Sequence, residues 1–219
     1  MSYKAFLFDL NGTMIDDMNY HADAWYDLLN NDLKQKLSRG EVQEQMYGKN
    51  SEVLTRIFGK RKFNPMRMEE LSHEKEKRYQ EAYLPHLALI AGLDDFLQKA
   101  KAQHIALAIG SAAIPFNIDF VLDNLHIRDY FAAVVSADDV HISKPDPETF
   151  LKAASLLGVQ PGDCIVFEDA PKGVEAAQHA GMKSVVLTTM YEPEKFSGFD
   201  SIVAFVKDYT DPVLNQLFN

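Results

Sequence analysis

Ala5-Phe6-Leu7-Phe8-Asp9-Leu10-Asn11-Gly12-Thr13 is the stretch that decides how this chain folds. Large apolar residues run directly into a carboxylate, with a glycine and a hydroxyl close behind. A short apolar run bounded by polar residues has the character of a strand buried on both faces. Where such a strand stops, its last side chains are displayed at its carboxyl end.

The pattern recurs further along, at residues 105–109, 132–135 and 165–167, with a fifth run at 184–187 after Gly181. Helical patterns lie between the later runs, at 93–101, 116–122, 148–157 and 173–179. Strand alternating with helix predicts a parallel sheet covered on both faces. The region from about residue 16 to residue 85 has no strand pattern. Ala24, Trp25, Leu28 and Leu29 repeat there at helical spacing, as do Val53, Leu54, Ile57 and Phe58. Gly40, Gly48 and Gly59 read as helix ends or turns. A helical segment placed after the first strand of an α/β sheet is best explained as an inserted domain. Trp25 is assigned to its core.

Composition narrows the function. The chain has 219 residues, 47% hydrophobic and 25% charged, enough for one large domain or a core with a smaller insert. No apolar run approaches the ~20 residues that span a bilayer, and Met1-Ser2-Tyr3-Lys4 lacks a signal-peptide layout. A cytoplasmic protein with no membrane partner is expected. The formal net charge of −10 argues against a nucleic-acid surface but leaves room for a small phosphorylated metabolite in a local cationic pocket. The single cysteine, Cys164, lies within an apolar run and is read as a packed thiol. His73, His104, His126 and His179 show no zinc-ligand spacing, and the run 73–78 reads as a solvated helix face from which only Lys75 is retained as a candidate contact.

Ligands of open parallel sheets bind beyond the carboxyl ends of the strands. The first strand ends in Asp9, Asn11, Gly12 and Thr13, and the second in Gly110 and Ser111. Beyond the third lies Lys144, in Ser143-Lys144-Pro145-Asp146-Pro147, and the fourth ends in Glu168-Asp169. Each group alone has a structural reading, as a turn, a helix cap or a solvated charge. Together, at successive strand ends, they point to chemistry. Clustered buried carboxylates need a cation, and magnesium prefers oxygen ligands and shares substrate phosphate oxygens. Lys144, Thr13 and Ser111 can bind phosphoryl oxygens, and Gly12 lets the backbone approach them. A carboxylate in line with phosphorus can then attack it.

These residues resemble the haloacid dehalogenase superfamily. Its Asp-x-Asp-Gly-Thr motif corresponds to Asp9-Leu10-Asn11-Gly12-Thr13, its second motif to Ser111, its third to Lys144 and its acidic pair to Glu168-Asp169. The resemblance implies a Rossmann-like α/β core, residues 1–14 and 87–219, and a helical cap over residues 15–86 that closes over the strand ends and selects the substrate. It is similar to the β-phosphoglucomutase and sugar-phosphate phosphatase branch, whose cap carries an early histidine matched by His21. The implied catalytic set is Asp9, Asn11, Ser111 and Lys144. The implied Mg2+ ligands are Asp9, the main-chain carbonyl of Asn11, Glu168 and Asp169. Gly12, Thr13, His21, Lys49, Lys75 and Ala112 would bind phosphate or substrate.

Two departures bear on function. The branch grips a distal phosphate with an arginine in a cap loop, where this chain has Gly48-Lys49-Asn50-Ser51, with Lys49 or Arg56 as substitutes. The second motif-one aspartate, the family's general acid and base, is replaced by Asn11, and an amide has no proton to exchange in the useful range. Three accounts of Asn11 stand: an enzyme that moves the proton through His21 or a substrate group, a substitution that keeps binding and slows turnover, or a protein that binds a phosphorylated ligand without turnover. The expected function is hydrolysis of a small phosphate monoester. A phosphoglucomutase-type isomerase and a non-catalytic binding protein are the alternatives, a dehalogenase is disfavoured by the acidic pair, and a monomer or weak homo-oligomer is expected.

Overall fold

In the computed structural model of the chain, residues 3–218 are described. Met1 and Ser2, part of the stretch Met1-Ser2-Tyr3-Lys4, and Asn219 lie outside the described residues. The elements in chain order are β1 (Ala5–Phe8), α1 (Met18–Tyr26), α2 (Arg39–Gln45), α3 (Asn50–Phe58), α4 (Pro65–Tyr83) and α5 (Leu93–Ala102). There follow β2 (Ala106–Gly110), α6 (Pro115–Asn124), β3 (Ala133–Val135), α7 (Glu148–Leu157) and β4 (Cys164–Glu168). The last are α8 (Pro171–His179), β5 (Lys183–Leu187) and β6 (Ile202–Val206). The chain forms two compact units, one of residues up to Asp16 together with Ala88 onward, the other Asp17–Leu87.

The first unit is a parallel sheet in the order β3-β2-β1-β4-β5-β6. Phe8 of β1 is in register with Ile109 of β2 and Phe167 of β4, so the carboxyl ends of these three strands are level. The strand order reverses beside β1, which makes the β1–β4 edge the topological switch point. β6 was not among the five strand segments named from sequence. It is an edge strand whose Val203 and Phe205 are exposed, and a register shift interrupts its pairing with β5.

β1 is fully buried because helices cover both faces of the sheet. Phe8 stacks on Phe167 at 4.6 Å, and Phe6 stacks on Phe96 of α5 at 5.4 Å. Aromatic pairs of this kind add about 0.5–1.5 kcal/mol each beyond area burial. In α5, Leu93, Phe96, Leu97 and Ala100 form the buried stripe, and acids in its first turn and lysines in its last complement the helix dipole. Cys164 is buried on β4, and burial, with a smaller contribution from Asp163, pushes its thiol up to about 11.

The second unit is helical. Its core contains Trp25, Leu28, Leu29, Val53, Leu54 and Leu71. Ser38 and Glu41 form a reciprocal capping box at the start of α2, with Ser38 N–H donating to Glu41 Oε2 at 2.7 Å. Asn64 caps α4, and Pro65 occupies the first turn, where a missing N–H costs nothing. Gly40 departs from the sequence reading: it lies in the first turn of α2 and ends no helix. Among the described residues, no helix is long and apolar enough to cross a membrane.

Candidate active site

Asp9 is the first residue beyond β1, its N–H donating to Phe167 O at 3.0 Å. This places its carboxylate beside the end of β4, whose last residue is Glu168 and which Asp169 follows. Oxygens of Asp9, Glu168 and Asp169 lie within 4.8 Å of one another, and all three residues are buried. Lys144, from the segment between β3 and α7, donates to Asp9 Oδ1 and Glu168 Oε1, both at 2.7 Å. Glu168 Oε2 accepts from the N–H groups of Asp169 and Ala170, each at 3.0 Å. Thr13 Oγ1 donates to Asp169 Oδ1 at 3.4 Å. Ser111 is buried one strand over, beyond β2, and its Oγ accepts from Ala113 N–H at 3.2 Å. Ala112 lies between them at the same strand end.

The electrostatics follow from burial. Burial opposes the charge of Lys144, but Asp9 and Glu168 outweigh it and hold the ammonium above the ordinary lysine range. Burial first, then Glu168 and Asp9, hold the Asp169 carboxyl well above the usual carboxylate range. Three buried carboxylates against one ammonium leave negative charge that a hard divalent cation would balance, and an all-oxygen donor set suits Mg2+. The residues present therefore fit the implied metal.

Gly173 makes the Glu168 position possible. A Cβ added there would lie 1.7 Å from Glu168 Oε1. Gly173→Ala is expected to displace the Glu168 carboxylate from Lys144 and destabilise the fold by about 1–3 kcal/mol. Thermal melts with and without Mg2+ measure both effects. A variant that melts like the parent in both conditions would refute this.

The turn after β1 is held from two directions that the sequence analysis missed. Thr189, just beyond β5, donates its hydroxyl to Gly12 O at 2.5 Å, and Tyr209, beyond β6, donates to Thr13 O at 3.0 Å. No motif marks either residue. The one available signal was the rule already applied to β1, β2 and β4, that groups following a strand end are candidates.

In the helical unit the structure brings His21 and Lys75 together, with Lys75 Nζ 2.5 Å from His21 Nδ1. Glu76 holds the same ammonium with both oxygens at 3.0 Å and accepts from Asn50 Nδ2 at 2.7 Å. His21 Nε2 lies 3.2 Å from Asp17 Oδ2, and its ring stacks on Tyr79 at 3.7 Å. Burial lowers the Lys75 pKa against the opposing pull of Glu76. Lys75 and Glu76 are 2% and 3% exposed, so part of the run 73–78 is buried network and not solvated face. Lys49 caps the start of α3, its N–H bonded to Glu52 Oε2 at 3.0 Å. Arg56 is committed to the Gln45 and Tyr47 carbonyls at 2.5 and 2.6 Å and stacks on the Tyr47 ring. These bonds brace the segment that carries Gln45 and Tyr47.

A parallel sheet with acids and a lysine gathered at its switch point defines an α/β enzyme that handles charged, oxygen-rich substrates. Residues 6–187 match the family described as haloacid dehalogenase-like hydrolase, and the chain belongs to that family. Within it the chain is β-phosphoglucomutase-like. It is 31% identical to β-phosphoglucomutase of Bacillus subtilis (strain 168), covering 97% of this chain and 94% of that protein. It is 32% identical to fructose-1-phosphate phosphatase YqaB of Escherichia coli (strain K12), covering 84% and 95%. The crystal structure of β-phosphoglucomutase from Clostridium difficile superposes with a TM-score of 0.80 at 26% identity, covering 94% of this chain and 92% of that one.

Proposed function

We propose that the protein is a magnesium-dependent phosphatase of small phosphate monoesters, with sugar phosphates as its substrate class. The observation that carries this reading is the Asp9 carboxylate set beside Lys144, Glu168 and Asp169 at the switch point. The names of its relatives, a fructose-1-phosphate phosphatase among them, support it.

Asp9, the main-chain carbonyl of Asn11, Glu168 and Asp169 would hold Mg2+, which neutralises phosphoryl charge when bound. Ser111, Lys144, Gly12, Thr13 and Ala112 bind the transferring phosphoryl oxygens. An Asp9 oxygen forms a bond to phosphorus as the ester P–O bond breaks, and the departing oxygen takes a proton from solvent water. Water then attacks phosphorus and gives a proton to solvent as the bond from phosphorus to the Asp9 oxygen breaks, releasing phosphate and restoring Asp9. Asn11 can orient these groups by hydrogen bonding but supplies no proton. The slow steps are therefore those that move one.

The near full-length similarity to β-phosphoglucomutase favours a phosphomutase as the second reading. The test is phosphate release from a panel of phosphorylated metabolites, with Mg2+ and with chelator. Hydrolysis of one or more sugar phosphates, lost on chelation, is expected. Return of label from a sugar bisphosphate to a sugar monophosphate would favour the mutase. Binding without turnover, even in Asn11→Asp, would leave a ligand-binding protein.

A further inference from the structure

We infer that Tyr209 and Thr189 are positioning residues of the turn after β1, fixing the Asn11–Gly12 peptide so that its carbonyl is presented to the cation. The inference rests on the metal site of the proposed function and extends it to two residues outside the family's motifs.

A peptide unit is planar and turns as one body, so tying its carbonyl or its N–H fixes its direction. Asp9 N–H is tied to Phe167 O at 3.0 Å. Leu10 O accepts from Met14 N–H at 2.8 Å and from Thr13 N–H at 3.4 Å. These bonds set the peptides before Asn11. The peptides after Gly12 are set by hydroxyls, Thr189 Oγ1 to Gly12 O and Tyr209 Oη to Thr13 O. The Asn11–Gly12 peptide lies between these fixed neighbours and is itself engaged by the bridge between Asn11 and Ile15, so the two hydroxyls hold the frame in which it sits. Gly12 accommodates the turn with φ of 72°.

Both hydroxyls are well supported for this task. Tyr209 is 5% exposed, its ring lying against Phe8, Phe96 and Phe167, and its N–H is bonded to Ala91 O at 2.9 Å. Its packing would survive loss of the hydroxyl alone, because phenylalanine fills the same space. Thr189 follows β5, whose strand lies against β4, the strand that carries Glu168. The two hydroxyls thus tie the carbonyl ligand to the same sheet that holds the carboxylate ligands. A main-chain ligand has no rotamer of its own, so the backbone bonds of its own turn orient it.

The test is Mg2+ binding by isothermal titration calorimetry on the intact chain and on Tyr209→Phe, Thr189→Val, Thr189→Ser and the Phe/Val double variant. Circular dichroism monitors the fold. Loss of one neutral hydrogen bond is expected to weaken Mg2+ binding roughly three- to tenfold, and the double variant more. Thr189→Ser, which keeps the hydroxyl, should bind nearly as the parent does. If the parent binds Mg2+ and the folded variants bind it equally well, the positioning role is wrong while the metal site stands. If the parent takes up no Mg2+, the metal site itself fails and the inference with it. A fall in the serine variant equal to that in the valine variant would also overturn the role, since the hydroxyl would not be responsible.

Discussion

Asn11→Asp is expected to raise phosphatase turnover by ~100- to 10,000-fold, the usual contribution of a positioned general acid or base. The substitution is nearly isosteric and leaves the main-chain carbonyl of residue 11 in place, so Mg2+ affinity should change far less than kcat. Steady-state kinetics on the sugar phosphate that the panel identifies would separate the two. The pH profile supplies a second readout, because an acid that must be protonated in one step and ionised in the next imposes limits that an amide does not. If the aspartate version gains nothing, residue 11 is not the missing proton carrier, and His21 or a substrate group becomes the place to look.

In the Asn11→Asp background, Asp9→Asn is expected to lower turnover on the order of a thousandfold or more, as loss of a nucleophile does. Asparagine keeps the volume of the side chain, and Glu168 still partners Lys144 at 2.7 Å, so the fold should persist. The sharper readout is covalent. Radiolabelled substrate quenched in acid should leave phosphate on the Asp9 protein, releasable by hydroxylamine as an acyl phosphate is. Label on the Asp9→Asn protein would remove Asp9 from the role of nucleophile, whatever the turnover.

The core was legible because its strands are short apolar runs that stop at polar residues, and period alone locates such segments. Asp9, Lys144, Glu168 and Asp169 could be grouped from sequence because each ends or follows a strand of one sheet, and the structure brings these four together. The edge strand Ile202–Val206 escaped notice although it is as apolar as the others, since no helical pattern precedes it to mark another repeat of the alternation. The burial of Lys75 and Glu76 was not legible. A charged run on a helix is ordinarily solvated, and what reverses that here is the pairing of Lys75 with Glu76 and their hydrogen bonds to His21 and Asn50, residues remote in the chain. Thr189 and Tyr209 escaped for a related reason. Their task is to accept no ligand but to hold a backbone, and backbone contacts leave no trace in residue type.

The central place of β1 in the sheet also sets an order of events during synthesis. Ala5 pairs with Ala106 on one side and Cys164 on the other, so the strand that leads into Asp9 is made before both of its neighbours. At about 5–20 residues per second, roughly 8 to 30 seconds separate the emergence of β1 from that of its second neighbour. Through that interval Ala5-Phe6-Leu7-Phe8 is an apolar segment without its full complement of partners. The helical unit, Asp17–Leu87, emerges in the meantime. The site is thus completed only once β4 has emerged, although Asp9 is made before the residues that surround it.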